Sequence, residues 1–186
     1  GATLSTTNSA VSFEDTLTLL SNLTVTTGAG PVTFSGEVDG AFNLVVNSTG
    51  ATTFSAAVGS NTPLNSLTTN AGGTTFLNGG SVATQLNQTY GDNVVLGADS
   101  TLTSLAGVVT FLGTVTGNGK SLEIDGDAVF GDAAEDTVTG LASLLVTGTT
   151  TINTSTVTST GPQTYAGDVT IGAPAGLVTL TTTNSP

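Results

Sequence analysis

Residues 32–40 read VTFSGEVDG, and residues 109–117 read VTFLGTVTG. Valine, threonine, phenylalanine, glycine, valine and glycine recur in the same places, 77 positions apart. Variants of the leading triplet run along the whole chain: VSF (11–13), VTF (32–34), TTF (52–54), TTF (74–76), VVL (94–96), VTF (109–111), AVF (128–130), TTI (150–152) and VTI (169–171). Eight steps carry Val11 to Val169, a mean of about 19.75 residues, with individual steps from 15 to 22. On this spacing the 77-residue echo is four units, and QTY at 88–90 and 163–165 marks the same superperiod at 75. A repeat near 20 residues, built from short β-branched runs without helical periodicity, is the signature of a solenoid of strands.

Strand side chains alternate between two faces, so each triplet points its first and third residues one way and its middle residue the other. Phe13, Phe34, Phe54, Phe76, Leu96, Phe111, Phe130, Ile152 and Ile171 are expected to stack inward as one column. Ser12, Thr33, Thr53, Thr75, Val95, Thr110, Val129, Thr151 and Thr170 are expected to stack outward as another. A second apolar station follows at Leu17, Val38, Val58, Val82, Val115, Val138 and Val157. A third follows at Leu23/Val25, Phe42/Leu44/Val46, Leu64/Leu67, Leu86, Leu102, Leu122/Ile124, Leu144/Val146 and Leu177/Leu180. Three apolar stations per unit, divided by Gly-, Asn- or Asp-containing corners, describe a three-sided coil. The expected fold is all-β: a right-handed parallel β-helix of about nine coils of roughly 20 residues, with 1–186 as one solenoid segment. Ladder hydrogen bonds then run the length of the rod, and each buried Phe or Leu adds roughly 1.5–3 kcal/mol.

Composition narrows what such a rod can do. The chain has 13 acidic residues against a single basic one, Lys120, for a net charge of −12, with no Cys, His, Met or Trp. Nucleic-acid binding needs cations to neutralise phosphates, so one lysine argues against it. The same count argues against attraction to an anionic membrane, and no apolar run approaches the length of a membrane span. Thr supplies roughly a fifth of the residues. A Thr/Ser/Asn/Gly-rich, acidic, cysteine-free surface suits a protein exposed outside a bacterial cell.

The stretch LTTNAGGTTFLNGGSVATQLNQTYGDNVVLGADSTLTS (67–104) resembles repeats of very large secreted bacterial surface proteins. These are the filamentous-haemagglutinin-like exoproteins of two-partner secretion and the related autotransporter-type adhesins. The likeness is one of pattern and composition over essentially the whole chain. It implies a shaft segment of an adhesin or extracellular fibre at the bacterial surface. Its partners would be adjacent repeats, a second copy stacked end to end, or a host or matrix surface.

Candidate chemistry is sparse. The densest acidic stretch, EIDGDAVFGDAAED (123–136), offers Glu123, Asp125, Asp127 and Asp132 as candidate calcium ligands, since calcium takes six to eight oxygens. The stretch matches neither the EF-hand loop nor the calcium-binding nonapeptide, and a solvated acidic corner is the plainer reading. Two of these carboxylates could form a glycosidase pair. With no Arg, His or Trp to hold a sugar, the chain is read as not an enzyme and as carrying no cofactor. Tyr90 and Tyr165 occupy the same place in the QTY phrase and are expected at corners with their hydroxyls in water.

The outward threonines suggest a further surface. Flat Thr arrays on β-solenoids present ordered positions to water in some ice-binding proteins, and TVT or TLT occurs at 16–18, 24–26, 101–103, 114–116, 137–139, 156–158 and 179–181. The second station is flanked in other coils by Glu37 and Asp39, by Ala57 and Gly59, and by Ser81 and Ala83, which on this alignment breaks the ladder. The closing phrase TLTTTNSP (179–186) nearly repeats the opening TLSTTNSA (3–10), and on a 20-residue coil both fall at the same phase.

Overall fold

The computed structural model describes residues 1–172 and 177–183. Among these the chain is all-β, without a helix, and every pairing between strands is parallel. It is a β-solenoid of about eight turns, with coils of about 21 residues and three faces.

In chain order each coil visits a first, a second and a third face. The first face stacks Ala2–Ser5, Leu23–Gly28, Asn43–Ser48, Ser66–Thr69, Gln88–Tyr90, residues 108–111, residues 127–130, Thr150–Ile152 and Val169–Ile171. The second stacks Val11–Phe13, Val32–Phe34, Ala51–Phe54, Thr74–Leu77, Asn93–Leu96, Val115–Thr116, Thr137–Leu141, Thr156–Ser159 and Thr179–Thr182. The third runs from Leu17–Thr18 through Val38–Asp39, the bridge at Val58, Ser81–Thr84, residues 100–104 and 122–125, and Leu144–Val146 to Gln163–Tyr165. Two long strands, Ser100–Phe111 and Leu122–Phe130, turn the corner from third to first face without a break. In the second of these the corner is Gly126 alone, at φ 139°, a conformation that a side chain would strain. The coil before it uses four residues, 104–107, at the same corner.

Each face sends one main column into the core. On the first it is Leu4, Val25, Val46, Thr69, Tyr90, Phe111, Phe130, Ile152 and Ile171. On the second it begins Phe13, Phe34, Phe54, Leu77 and Leu96, and passes to the neighbouring inward position at Val115, Val138, Val157 and Leu180. The third holds Leu17, Val38, Val58, Val82, Leu102, Ile124, Val146 and Tyr165. Parallel stacking of like rings gives two separate aromatic piles. Phe13, Phe34 and Phe54 lie 5.0 and 4.9 Å apart on the second face, and Tyr90, Phe111 and Phe130 lie 5.3 and 5.6 Å apart on the first.

The triplets are therefore not one column. The first five occupy the second face and the last four the first face, so the short 15-residue step from 94 to 109 is two sides of a coil. The same slip moves Val115, Val138 and Val157 onto a different face from Leu17, Val38, Val58 and Val82. From Phe34 to Leu96 is three coils, and from Leu96 to Phe111 two further sides, so the 77-residue echo spans three and two-thirds coils. The QTY phrases are offset in the same way, with Tyr90 on the first face and Tyr165 on the third. The opening and closing phrases also differ in phase: Leu4 is in the first column and Leu180 in the second, while residues 184–186 lie outside the described residues.

One triplet is also out by a residue. In Thr74–Leu77 the inward pair is Thr75 and Leu77, which pair with Thr52 and Phe54 below and with Val94 and Leu96 above. Phe76 faces outward between Thr53 and Val95. Either Phe76 or Leu77 could fill the core, and the register of the neighbours on both sides selects Leu77. It also brings the Thr75 hydroxyl to a buried partner, Asp92.

Candidate functional site

The polar groups with defined geometry lie at the corners, where a chain that turns every few residues leaves N–H groups without a ladder partner. Asn and Asp side chains supply acceptors one coil away. Asn22 Oδ1 accepts Asn43 N–H at 3.0 Å, Asn87 Oδ1 accepts Val108 N–H at 3.0 Å, and Asn93 Oδ1 accepts Thr114 N–H at 3.0 Å. Asp99 and Asp127 do the same for Ser121 and Thr149 N–H, at 2.9 and 2.7 Å. At the corner from third to first face, Asn22, Asn43, Asn65 and Asn87 recur every 21 or 22 residues. That spacing is the true coil period and was readable in the sequence.

The four candidate calcium ligands are distributed along this path. Glu123 stands outward and exposed on the third face, between Thr101 and Leu145. Asp125 is outward on the same strand, and its Oδ1 accepts the Thr147 hydroxyl at 3.0 Å. Asp127 lies across the Gly126 corner and is engaged with Thr149. Asp132 is a full side further on, in the corner loop 131–136, where the Asp136 carboxylate accepts the N–H groups of Asp132 and Ala133 at 3.1 and 3.0 Å. Among the described residues no three carboxylates come together as a metal cluster.

Two carboxylates that the sequence reading did not single out are buried. Asp39, 7% exposed, faces out of the third face but is covered by the loop of the next coil. Asn61 N–H, Asn61 Nδ2–H and Thr62 N–H donate to it at 3.0, 3.0 and 3.1 Å. Burial works to raise its pKa, and the three donors more than offset this, holding the carboxyl below its ordinary 3.8. Asp92 is treated below.

The QTY phrases build the same device on two faces. Gln88 Nε2 donates to the carbonyls of Val82 and Thr103, at 3.2 and 2.8 Å, and Tyr90 O–H donates to Gln88 Oε1 at 3.0 Å. Gln163 Nε2 donates to Val157 and Thr181, at 3.2 and 2.9 Å, and Tyr165 O–H to Gln163 Oε1 at 3.1 Å. Each glutamine reaches back across the corner to two stacked coils. The hydroxyls are thus tied inside the solenoid, not left in water. Burial pushes the Tyr90 phenol far up and the Tyr165 phenol to about 12. Tyr90, with no exposed surface, is closed to any ligand.

The threonine ladder is more continuous than the sequence alignment allowed. On the second face the Thr-x-Thr motifs of four successive coils, 114–116, 137–139, 156–158 and 179–181, lie one above another. The flanking residues Glu37, Asp39, Ala57, Gly59, Ser81 and Ala83 belong to the third face and do not interrupt it. A bulge after Val138 shifts the second row by one residue, with Gly140 N–H donating to Thr158 Oγ1 at 3.3 Å. On the first face the outward row is Thr3, Thr24, Val45, Thr68, Thr89, Thr110, Val129, Thr151 and Thr170, β-branched at every coil.

Two concavities open on the surface of the described residues. One of about 230 Å³ lies on the third face beside Asp99, Ser121, Glu123 and Leu145. Another of about 380 Å³ lies where the corner 104–107 overhangs Gly126 and Asp127. No family model, curated protein or solved structure matches the chain.

Proposed function

We propose that this chain is a structural shaft segment of a large secreted bacterial adhesin or extracellular fibre, supplying reach and stiffness at the cell surface. The observation that carries the reading is the stacking of three parallel ladders coil upon coil, from Ala2 to Ile171 on the first face, Val11 to Thr182 on the second and Leu17 to Tyr165 on the third. Each coil is held only by its neighbours, so length can be added without altering what is already folded. Polar side chains with defined partners are spent on tying coil to coil, as Asn22, Asn87, Gln88 and Asp127 are. The rod is about 40 Å long at the spacing of stacked strands. The resemblance of 67–104 to adhesin repeats points the same way.

The competing reading is a module that binds glycans or calcium on one face. Small-angle scattering and negative-stain microscopy, combined with a glycan array read with and without calcium, separate the two. A shaft gives rods of uniform width that bind no glycan class under either condition. End-to-end filaments would make the segment a self-stacking subunit, and reproducible calcium-dependent glycan capture would overturn the shaft in favour of the binding module.

A second reading rests on the four-rung Thr-x-Thr array of the second face. Strand geometry spaces its rungs about 4.8 Å along the rod and the two threonines of a rung about 6.7 Å apart, with one row offset at the bulge after Val138. Thermal hysteresis at the ice–water boundary, abolished by Thr156→Tyr, is the result this reading requires. Its absence in the wild-type chain removes it.

A further inference from the structure

Asp92 is an acid buried without a basic partner among the described residues. It is 1% exposed, at the corner between first and second faces. Its Oδ1 accepts Gly73 N–H at 2.7 Å, and Thr75 Oγ1 lies 3.0 Å from its Oδ2 and 3.3 Å from Thr69 Oγ1. Both threonines are buried. The strands packed about this corner are Ser66–Thr69, Thr74–Leu77, Gln88–Tyr90 and Asn93–Leu96, with Asn43–Ser48 and Ala51–Phe54 on one side and residues 108–111 and Val115–Thr116 on the other. Tyr90 is the one titratable residue they carry, and its phenol is bonded to Gln88. Lys120, the only basic residue of the chain, lies beyond the opposite edge of the second face.

We propose that Asp92, Thr75 and Thr69 form a proton-controlled latch on this corner, tightest when the carboxyl is protonated and weakened when it ionises. Each hydroxyl has one proton to give. With Asp92 ionised, Thr69 donates to Thr75 and Thr75 donates to the carboxylate. With a proton taken from water, the carboxyl donates to Thr75 and Thr75 to Thr69, so the chain of bonds reverses without losing a member. Gly73 N–H stays bonded in both states. What changes is the presence of a charge with no counter-charge at a buried corner, and that is costly. Burial accordingly raises the Asp92 pKa above 3.8, against the opposing pull of the Gly73 and Thr75 donors. A carboxyl raised on folding adds stability that is fully present below 3.8 and is lost as pH climbs through the folded value. The latch spans two stacked coils near the middle of the rod, so its ionisation loosens that corner at neutral pH. This inference is independent of the shaft reading.

The test is thermal unfolding of the whole chain from pH 3.5 to 8, wild type beside Asp92→Asn, with hydrogen exchange at the Gly73 and Thr75 amides corrected for intrinsic pH dependence. Asparagine keeps the acceptor for Gly73 and cannot ionise. Wild type is expected to lose midpoint temperature relative to Asp92→Asn as pH rises above 3.8, with the extra opening concentrated at those two amides. Parallel pH profiles for the two proteins would overturn the latch. Should the variant fold poorly, carboxyl carbon-13 titration of wild-type Asp92 decides alone. A midpoint above 3.8 supports the proposal, and one at or below 3.8 sinks it.

Discussion

Thr52 and Thr150 show how closely the core trades on the shape of valine. Thr52 stands in the inward column between Val32 and Thr75, and Thr150 stands between Ala128 and Val169. Neither buried hydroxyl has a hydrogen-bond partner. A buried hydroxyl without a partner costs about 1–3 kcal/mol, and valine fills the same volume without one. Thr52→Val and Thr150→Val are each expected to stabilise the chain by about 1 kcal/mol in urea unfolding, adding when combined because they lie coils apart. A loss of stability in both would mean that the hydroxyls are satisfied in solution. Asp39 makes the opposite case, a polar group whose partners earn it its place. Its pKa is held below 3.8, so its contribution is fully present above 3.8 and is lost as pH falls through the lower folded value. Asp39→Ala should cost about 1–2 kcal/mol at pH 7 and free the Asn61 and Thr62 amides for exchange. The gap between the two proteins should narrow as pH falls to strongly acid values.

A single strand shows what the sequence could and could not carry. In Thr74–Leu77 the inward residue is Leu77, so Leu77→Ala should cost about 2–5 kcal/mol by leaving a cavity between Phe54 and Leu96. Phe76→Thr, which puts the usual outward residue between Thr53 and Val95, should change stability by less than about 1 kcal/mol. Equal costs in chemical denaturation would refute the register. Period, strand class and a three-sided coil were legible because alternation and Gly/Asn corners impose them locally. Phase was not, because all three faces ask for the same residues: an inward Val, Leu or Phe, an outward Thr, a turn residue after it. VTF therefore fits the second face at 32–34 and the first at 109–111, and QTY fits the first face and the third. The corner asparagines at 22, 43, 65 and 87 kept a steadier count, since Asn22 and Asn87 each accept a backbone amide one coil on, and Asn43 accepts from the Asn65 side chain one coil on. Asp39 and Asp92 were hidden for a related reason. Their partners sit in a neighbouring coil, the next one for Asp39 and the preceding one for Asp92, 17 to 23 residues distant, and nothing adjacent in the chain announces them.

For the rod as a whole, neighbour-only contact makes length a variable and phase a constraint. Deleting residues 94–114 joins Asn93 to Val115, and Val115 takes the place of Val94, its own ladder partner. Residues 123–125 then settle on 81–83, residues 128–130 on Gln88–Tyr90, and Phe130 stacks on Tyr90 in place of Phe111. The first and third faces keep their inward columns, and on the second Val115 comes to stand over Thr75 with Gly117 at the level of the lost Leu96, so the shortened chain should unfold cooperatively, losing the terms of one coil and the Leu77–Leu96 contact. Small-angle scattering should find the rod shorter by about 4.8 Å with an unchanged cross-section. Deleting residues 94–103 removes roughly half a coil and leaves Ser104 where a second-face strand should begin. Corner residues then fall on strand positions, and strand residues fall on corners, at the level of the cut. That chain is expected to lose its cooperative transition, or to aggregate through the strand edges it exposes. If the half-coil deletion folds as well as the whole-coil deletion, then corners are not what sets the phase, and each face is held by its ladder alone.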